Sequence, residues 1–194
     1  MKKINRLFFF VLIMVLTAAM TITVTATEKK LIEQSLQYLE QHDYNMAIDL
    51  LEEALLSIRE KAQLGLVNVQ FTENKATGFG MYQIREDANF AQGETFYIYA
   101  EPKNYSIKEN EQGLFEIHFK QDLYITDMEG DILWGKKDYL EFHVLSHKPN
   151  SEVHITNTVT QESPFPKGEY QFQMVLKDVL SQKTVEQTID FIVE

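Results

Sequence analysis

The fold is decided by the stretch PFPKGEYQFQMVLKDVLSQKTVEQTIDFIV, residues 164–193. Apolar and polar residues alternate over 170–176 and again over 185–193, and the polar segment 178–183 separates the two runs. Period-two alternation on both sides of a short polar turn is typical of an antiparallel β-hairpin with one packed face. Because an isolated hairpin is only marginally stable in water, we expect further strands to cover it.

The same period of two recurs in the chain before the hairpin. The alternating segments are 67–71, 95–100, 115–125, 132–134, 140–144 and 153–159. With the hairpin they make seven or eight strands at regular spacing, which predicts an antiparallel immunoglobulin-like β-sandwich over residues 66–194. We expect a turn at Asp127 to Asp131, and a second turn at Pro149-Asn150 that leads one strand directly into the next.

Residues 28–64 contain no glycine or proline and have a helical period. The longer apolar stripe consists of Tyr44, Ala47, Ile48, Leu51, Ala54, Leu55, Ile58 and Ala62, and the shorter one of Leu31, Ile32, Ser35, Leu36 and Leu39. We expect Asp43 to be the N-cap of the second helix and Gly65 to end it. The predicted fold class is therefore mainly β with an α-helical N-terminal hairpin, residues 27–65.

Residues 1–26 have the three parts of a secretory signal peptide. Three basic residues precede an unbroken apolar run at 7–16, and a small and polar segment then ends at Ala26. This predicts cleavage after Ala26 and a periplasmic or extracellular location for the rest of the chain. The alternative is an uncleaved membrane anchor, since weakly apolar residues continue to Val24.

Residues 39–55 carry an aromatic residue, Tyr44, just after the inter-helix turn, and two alanines, Ala47 and Ala54, seven positions apart. In these features the segment resembles a single tetratricopeptide-type unit, with His42 where that family prefers glycine. The resemblance implies two helices that approach closely at the alanines. One such unit cannot bury its own apolar face. We therefore expect it to dock on the β-domain, to form a homodimer with a second chain, or to receive a partner.

Turn and core residues of the β-region form a second pattern. They are Gly80 to Tyr82, Phe90 with Gly93 and Glu94, Tyr97 to Pro102 with Tyr105, Asp127 to Gly130 with Leu133 and Trp134, and Pro166 to Tyr170. With this pattern, residues 67–194 resemble a group of exported bacterial immunoglobulin-like β-sandwich proteins of uncharacterised function. The resemblance implies a fold and an exported location, and it carries no activity.

The composition argues against several kinds of site. The chain has no cysteine, so it has no disulfide, catalytic thiol or cysteine-bound metal. Its formal net charge of -11 repels phosphate backbones, so we expect no nucleic-acid partner. No serine lies in a nucleophile motif and no glycine-rich phosphate loop occurs. We expect no catalytic, cofactor-binding or metal-binding residue, no cofactor, and no enzymatic activity.

Three histidines occupy polar positions of the alternating segments, and we expect His118, His143 and His154 to point away from the core. A tight hairpin at Pro149-Asn150 would bring His143 and His154 onto paired strands, each with a glutamate two positions before it. Imidazole and carboxylate groups at that spacing make a surface metal site conceivable. The interpretation we favour is that they are solvent-exposed strand positions.

A group of aromatic residues forms the other candidate binding face. Its members are Phe79, Tyr82, Phe90, Tyr97, Tyr99 and Tyr105. Either some of them form an exposed platform for a sugar or peptide, or they pack the second face of the sandwich beneath the helices. We favour packing.

The function expected from the sequence is that of an exported, non-catalytic binding or assembly module of the bacterial envelope. We expect it to act by protein–protein interaction with an envelope protein, through the helical hairpin or a strand at the sheet edge. The alternative is binding of a carbohydrate or another small ligand on the tyrosine-rich face. Contact with a membrane is expected only if the leader remains attached.

Overall fold

The computed structural model describes residues 27–161 and 163–194. The predicted signal peptide and its cleavage site, residues 1–26, lie outside this described part. The chain divides between Lys61 and Ala62 into two compact units, the first built from helices and the second mainly from strands. The predicted fold class, mainly β with two N-terminal helices, is confirmed at this level. No helix in the described part is long and apolar enough to cross a membrane.

The first unit consists of α1, residues 27–40, and α2, Tyr44–Lys61. The turn between them has His42 in the left-handed region, at φ 60°. Asp43 then caps α2, because its Oδ1 accepts a hydrogen bond from the backbone N–H of Met46 at 3.3 Å. The predicted N-cap is thus confirmed, whereas α2 ends at Lys61, before the glycine at position 65 that we expected to stop it.

Small side chains lie at the contact between α1 and α2. Ala47 and Ala54 are 0% and 2% exposed, and Ser35 of α1 is 1% exposed. At the end of the same seam, the carboxylate of Glu28 accepts hydrogen bonds from Lys61 and from Ser57 Oγ. The hydrogen bond from Lys61 lowers the pKa of Glu28 to about 2, so this carboxylate remains ionised well below neutral pH.

The second unit contains nine strands within the described residues. They are β1 Gly65–Phe71, β2 Asn89–Phe90, β3 Phe96–Lys103, β4 Lys108–Glu109, β5 Phe115–Thr126, β6 Ile132–Ser146, β7 Ile155–Val159, β8 Gly168–Asp178 and β9 Thr184–Val193. One sheet has the order β1-β3-β7, and the other has the order β2-β9-β8-β5-β4 with β6 also paired to β5. The pairing is antiparallel except between β2 and β9, which run parallel, so the expectation of a purely antiparallel arrangement is wrong there.

The predicted C-terminal hairpin is confirmed as β8 and β9. Tyr170 pairs with Phe191 and Leu176 with Val185. At the turn, the backbone N–H of Asp178 donates to the carbonyl of Lys183 at 2.9 Å. The inward-facing positions of β8, Tyr170, Phe172, Met174 and Leu176, are all buried, as period-two alternation requires, whereas Val175 on the other face is half-buried.

Side chains from both sheets form one hydrophobic core. Phe96 of β3 meets Phe172 of β8 edge to face, with ring centroids 5.1 Å apart, and Phe71 of β1 lies 6.0 Å from Phe191 of β9. Burying each phenylalanine contributes about 2–3 kcal/mol, and edge-to-face pairs add roughly 0.5–1.5 kcal/mol. This aromatic cluster joins the hairpin to the three-stranded sheet.

Two predictions about the strands are wrong. Strand β7 does not follow β6 as a hairpin across Pro149-Asn150, because it pairs with β3 in the other sheet, with Ile98 opposite Asn157. In β1 a bulge at Asn68, which has φ 52°, shifts the register. As a result Leu66 is buried and Val67 is exposed, so strict alternation from position 67 is wrong at Val67, whereas Phe71 is in the core and Val69 packs against it, as expected.

The carboxylate of Asp178, 1% exposed, connects the hairpin turn to the segment before β4. Its oxygens accept hydrogen bonds from the backbone N–H groups of Ser106 at 2.8 Å, of Leu180 at 3.0 Å and of Ser181 at 3.3 Å, and from Ser181 Oγ at 2.6 Å. A buried acceptor that serves several donors is costly to remove, since each donor then lacks a partner.

We predict that Asp178→Ala lowers the free energy of unfolding by about 2–4 kcal/mol, because it leaves buried donors unpaired. Urea denaturation monitored by the fluorescence of Trp134, in the β-unit, measures this. The control is Asp190→Ala, which removes an exposed hydrogen bond to Gln171 and should cost less than about 0.5 kcal/mol. Equal losses in the two variants would contradict the assignment.

Candidate functional site

The six aromatic residues of the expected tyrosine-rich face do not form a shared exposed platform. Phe90, Tyr99 and Tyr105 are buried, at 2%, 0% and 4% exposure. The other three are partly buried. Phe90 and Tyr105 belong to the core shared by the two sheets, and not to a second face of the sandwich as the favoured interpretation expected.

Tyr99 is buried and packs against one other member of this group, Tyr82. Its hydroxyl donates to Glu101 Oε1 at 3.0 Å and accepts from the backbone N–H of Gly80 at 2.8 Å. The ring of Tyr82 lies 4.0 Å from its own. Burial raises the pKa of Tyr99 to about 12. The phenol therefore stays neutral and connects the loop that contains Gly80 to β3.

A cleft of about 540 Å³ opens elsewhere on the β-unit. Its walls are Ile125, Leu133, Trp134, Lys136, Tyr139, Val159, Thr160, Gln161, Ser163 and Phe165. The rings of Trp134 and Tyr139 meet edge to face at 6.0 Å, and Lys136 Nζ lies 5.7 Å from the Tyr139 ring. The site thus combines flat aromatic surfaces with a cation.

Hydrogen bonds hold the walls of this cleft in place. The Tyr139 hydroxyl donates to the carbonyl of Thr158 at 2.6 Å. Gln161 donates to the carbonyl of Glu94 at 3.0 Å and accepts from the backbone N–H of Phe165 at 2.9 Å. These contacts fix the positions of Tyr139 and Phe165 in the walls, and side chains that are already held lose less conformational entropy on binding.

This cleft is not apparent from the sequence. The pattern predicts a strand at Trp134, and nothing local connects that residue with Tyr139 or with Phe165, which lies 31 positions later. The available signal was the chain's single tryptophan next to a turn, since Trp is enriched at binding surfaces.

A second cluster of chemical groups lies across β5 and β6. His118 pairs directly with His143, and their rings stack with centroids 4.4 Å apart. His118 Nε2 lies 2.7 Å from Glu141 Oε1, and His143 Nε2 lies 2.8 Å from Glu116 Oε1. The hydrogen bond from His118 lowers the pKa of Glu141. One possible metal-ligand atom each from Glu116, His118 and His143 lie within 4.8 Å of one another.

The pairing of His143 with His154 that the sequence suggested is wrong. His154 precedes β7, which pairs with β3, and its ring stacks on Tyr99 at 5.6 Å. Its partial burial lowers its pKa. From the sequence we expected no metal-binding residue. The structure instead brings together a different pair of histidines, His118 and His143, which the alternation of residues along each strand could not identify.

The helical unit presents a third candidate surface. Its exposed large apolar side chains include Ile32, Leu36 and Leu39 on α1 and Ile48, Leu51, Leu55 and Ile58 on α2. At 3.6 residues per turn, both rows fall on the same side of the small-residue seam of two antiparallel helices. They therefore form one continuous apolar face, which we call the helical face.

Comparisons with known proteins leave the family open. No protein-family model matches the chain, and no curated protein matches it. Among solved structures, the chain is similar to the Pseudomonas fluorescens alkylpurine DNA glycosylase AlkC bound to DNA containing an abasic site analog. The identity is 9% and the TM-score 0.38, and the match covers 80% of this chain and 39% of that chain.

This neighbour corrects two expectations drawn from the sequence. It is a DNA glycosylase, which is an enzyme, and it is bound to DNA. The exclusions of enzymatic activity and of a nucleic-acid partner are therefore overturned. At a TM-score of 0.38 the likeness carries no argument for either property in this chain.

We predict that Tyr99→Phe lowers the free energy of unfolding of the β-unit by about 1–2 kcal/mol, because it removes the hydroxyl that pairs with the Gly80 N–H and with Oε1 of the buried Glu101. Thermal and urea unfolding measure the loss. The control is Tyr97→Phe on the same strand, a partly exposed position that we expect to change stability by less than about 0.5 kcal/mol. No difference between the two variants would show that the Tyr99 hydroxyl does not hold the loop.

Proposed function

We propose that the protein is an exported binding module whose helical face holds an amphipathic helix of another polypeptide. The observation that carries this proposal is the continuous row of seven exposed Leu and Ile side chains on a unit of two helices. Exposed apolar surface of this kind marks interaction sites in proteins. Export rests on the basic, apolar and small segments of residues 1–26.

The chemistry of the helical face favours a helix as its occupant. In tetratricopeptide-type arrays each unit is completed by the next helix along the chain, and a helix with apolar residues at three- and four-residue spacing fits a groove between two others. Residues 27–61 contain eight acidic and four basic residues. We therefore expect lysine or arginine on the flanks of the bound helix.

The β-unit would serve as the rigid carrier of this surface. Its two sheets share one core, which supports the proposal of an immunoglobulin-like sandwich with the added β2 and β4 pairings.

We predict that a photo-crosslinker placed at Leu55 or at Leu36 captures the same protein in producing cells. Mass spectrometry should place the crosslinks on an amphipathic helix with basic flanks. The control is the same crosslinker at Glu53, which is exposed on the opposite side of α2. A synthetic peptide of the captured helix should then bind the intact chain, and Leu55→Glu should weaken that binding roughly tenfold or more.

Several results would contradict this proposal. Crosslinks from Leu55 that map only to residues 62–194 or to residues 1–26 would mean that the chain covers its own helical face. Equal capture from Glu53 would mean that the contact is non-specific.

A second candidate function is binding of a carbohydrate or similar small ligand in the aromatic cleft. The observation that favours it is the pair Trp134 and Tyr139 facing a cleft of about 540 Å³, a size typical of small-molecule sites. Aromatic side chains combine an apolar face with a polar edge, which suits the alternating C–H and hydroxyl surfaces of a sugar. The cleft replaces the tyrosine-rich face that the sequence suggested for this role.

The chain's only tryptophan makes this candidate directly measurable. We predict that a ligand found in a panel of soluble oligosaccharides changes the fluorescence of Trp134 saturably, and that Tyr139→Ala weakens its binding roughly tenfold or more. The control is Lys137→Ala, an exposed position beside the cleft that is not among its walls. No saturable change with any glycan, or equal loss in both variants, would remove this candidate.

A further inference from the structure

Four polar side chains form one cluster on the face of β5 and β6 that points away from the core. Glu116 and His118 are two positions apart on β5, and Glu141 and His143 are two positions apart on β6, so all four project to the same side. Their neighbours on the inner side, Phe119 and Phe142, stack at 5.9 Å. The cluster therefore stands on a packed and regular part of the sheet.

We propose that Glu116, His118 and His143, with Glu141 or water as a fourth ligand, bind a divalent transition-metal ion of the zinc class. Neutral imidazole nitrogen and carboxylate oxygen are ligands that Zn²⁺ accepts in tetrahedral sites, which have either four protein ligands or three protein ligands and a water. Two imidazoles favour such an ion over Mg²⁺ or Ca²⁺, which prefer oxygen ligands only. The site is independent of the helical face and of the aromatic cleft.

The separations of the ligand atoms are compatible with an ion between them. Metal–ligand bonds of about 2.0–2.1 Å place the atoms of a tetrahedral site about 3.3 Å apart, and the three atoms here lie within 4.8 Å. The side chains of His143 and Glu141 are 47% and 53% exposed, so they can rotate by the remaining distance. His118 is 18% exposed and is held more firmly, which gives the site one fixed ligand.

The nearby cations have other contacts. Lys108, opposite Glu116 across β4 and β5, donates to the carbonyl of Leu180 at 2.7 Å. Lys120, opposite Glu141, lies 3.9 Å from Asp138 Oδ2. The two carboxylates of the cluster hydrogen-bond to the histidines and not to these lysines. A bound ion would replace those hydrogen bonds with metal–ligand bonds.

The test uses the full chain purified without a polyhistidine tag and titrated with ZnCl₂ in a calorimeter. We expect one ion per chain with micromolar affinity, and a rise in the unfolding temperature of roughly 5–10 °C at a hundredfold excess over the dissociation constant. In the double variant His118→Gln with His143→Gln, affinity should fall by roughly 30-fold or more. MgCl₂ should give no comparable shift.

The matched control is His147→Gln, which removes an exposed histidine just beyond the end of β6 and should bind Zn²⁺ as the unchanged chain does. X-ray absorption of the zinc complex should show two imidazole nitrogens at about 2.0–2.1 Å. Circular dichroism identifies any variant that does not fold, and the single variant His143→Gln, at the more exposed position, then replaces the double one. Unchanged affinity in the folded variants, equal loss in His147→Gln, or a zinc shell without two imidazoles would overturn the proposal.

Discussion

Strand β5 is hydrogen-bonded along both edges, and the register of its neighbours depends on it. β6 pairs with it from Phe115 to Thr126, and β8 pairs with it from Phe119 to Thr126. A strand with one buried face cannot slip by one residue without turning that face outward. The same register that puts Phe119 against Phe142 in the core puts His118 against His143 on the other side, so packing decides the chemistry of the outer surface.

In the helical unit the corresponding constraint is a contact between small residues. Ala47, Ala54 and Ser35 allow the two helices to approach closely, and little volume remains between them for larger side chains. Apart from Leu31, which is buried, the leucines and isoleucines of both stripes therefore stay outside the seam, on the helical face. A single repeat-type unit exposes its apolar side chains in this way, because two helices alone cannot bury the apolar residues of both stripes.

Features that depend on nearby residues could be read from the sequence. The hairpin of β8 and β9, the N-cap at Asp43 and the turn from Asp127 to Asp131 all follow from short patterns, and Asp127 Oδ1 does accept the backbone N–H of Asp131 at 2.8 Å. Features that depend on distant pairing could not. The bulge at Asn68 and the pairing of β7 with β3 depend on how the whole core packs. No local sequence pattern indicates which distant strand a given strand pairs with.

The sequence by itself determined the fold class, the division into helices and strands, and the apolar stripe that becomes the helical face, because these depend on the period of hydrophobicity along the chain. Only the tertiary structure decided which polar and aromatic groups meet. It joined Trp134 with Phe165 in one cleft, and it paired His143 with His118 while His154 went to Tyr99. Those contacts are set by the order of the strands in each sheet and by their register, which are established when distant segments of the chain pack together.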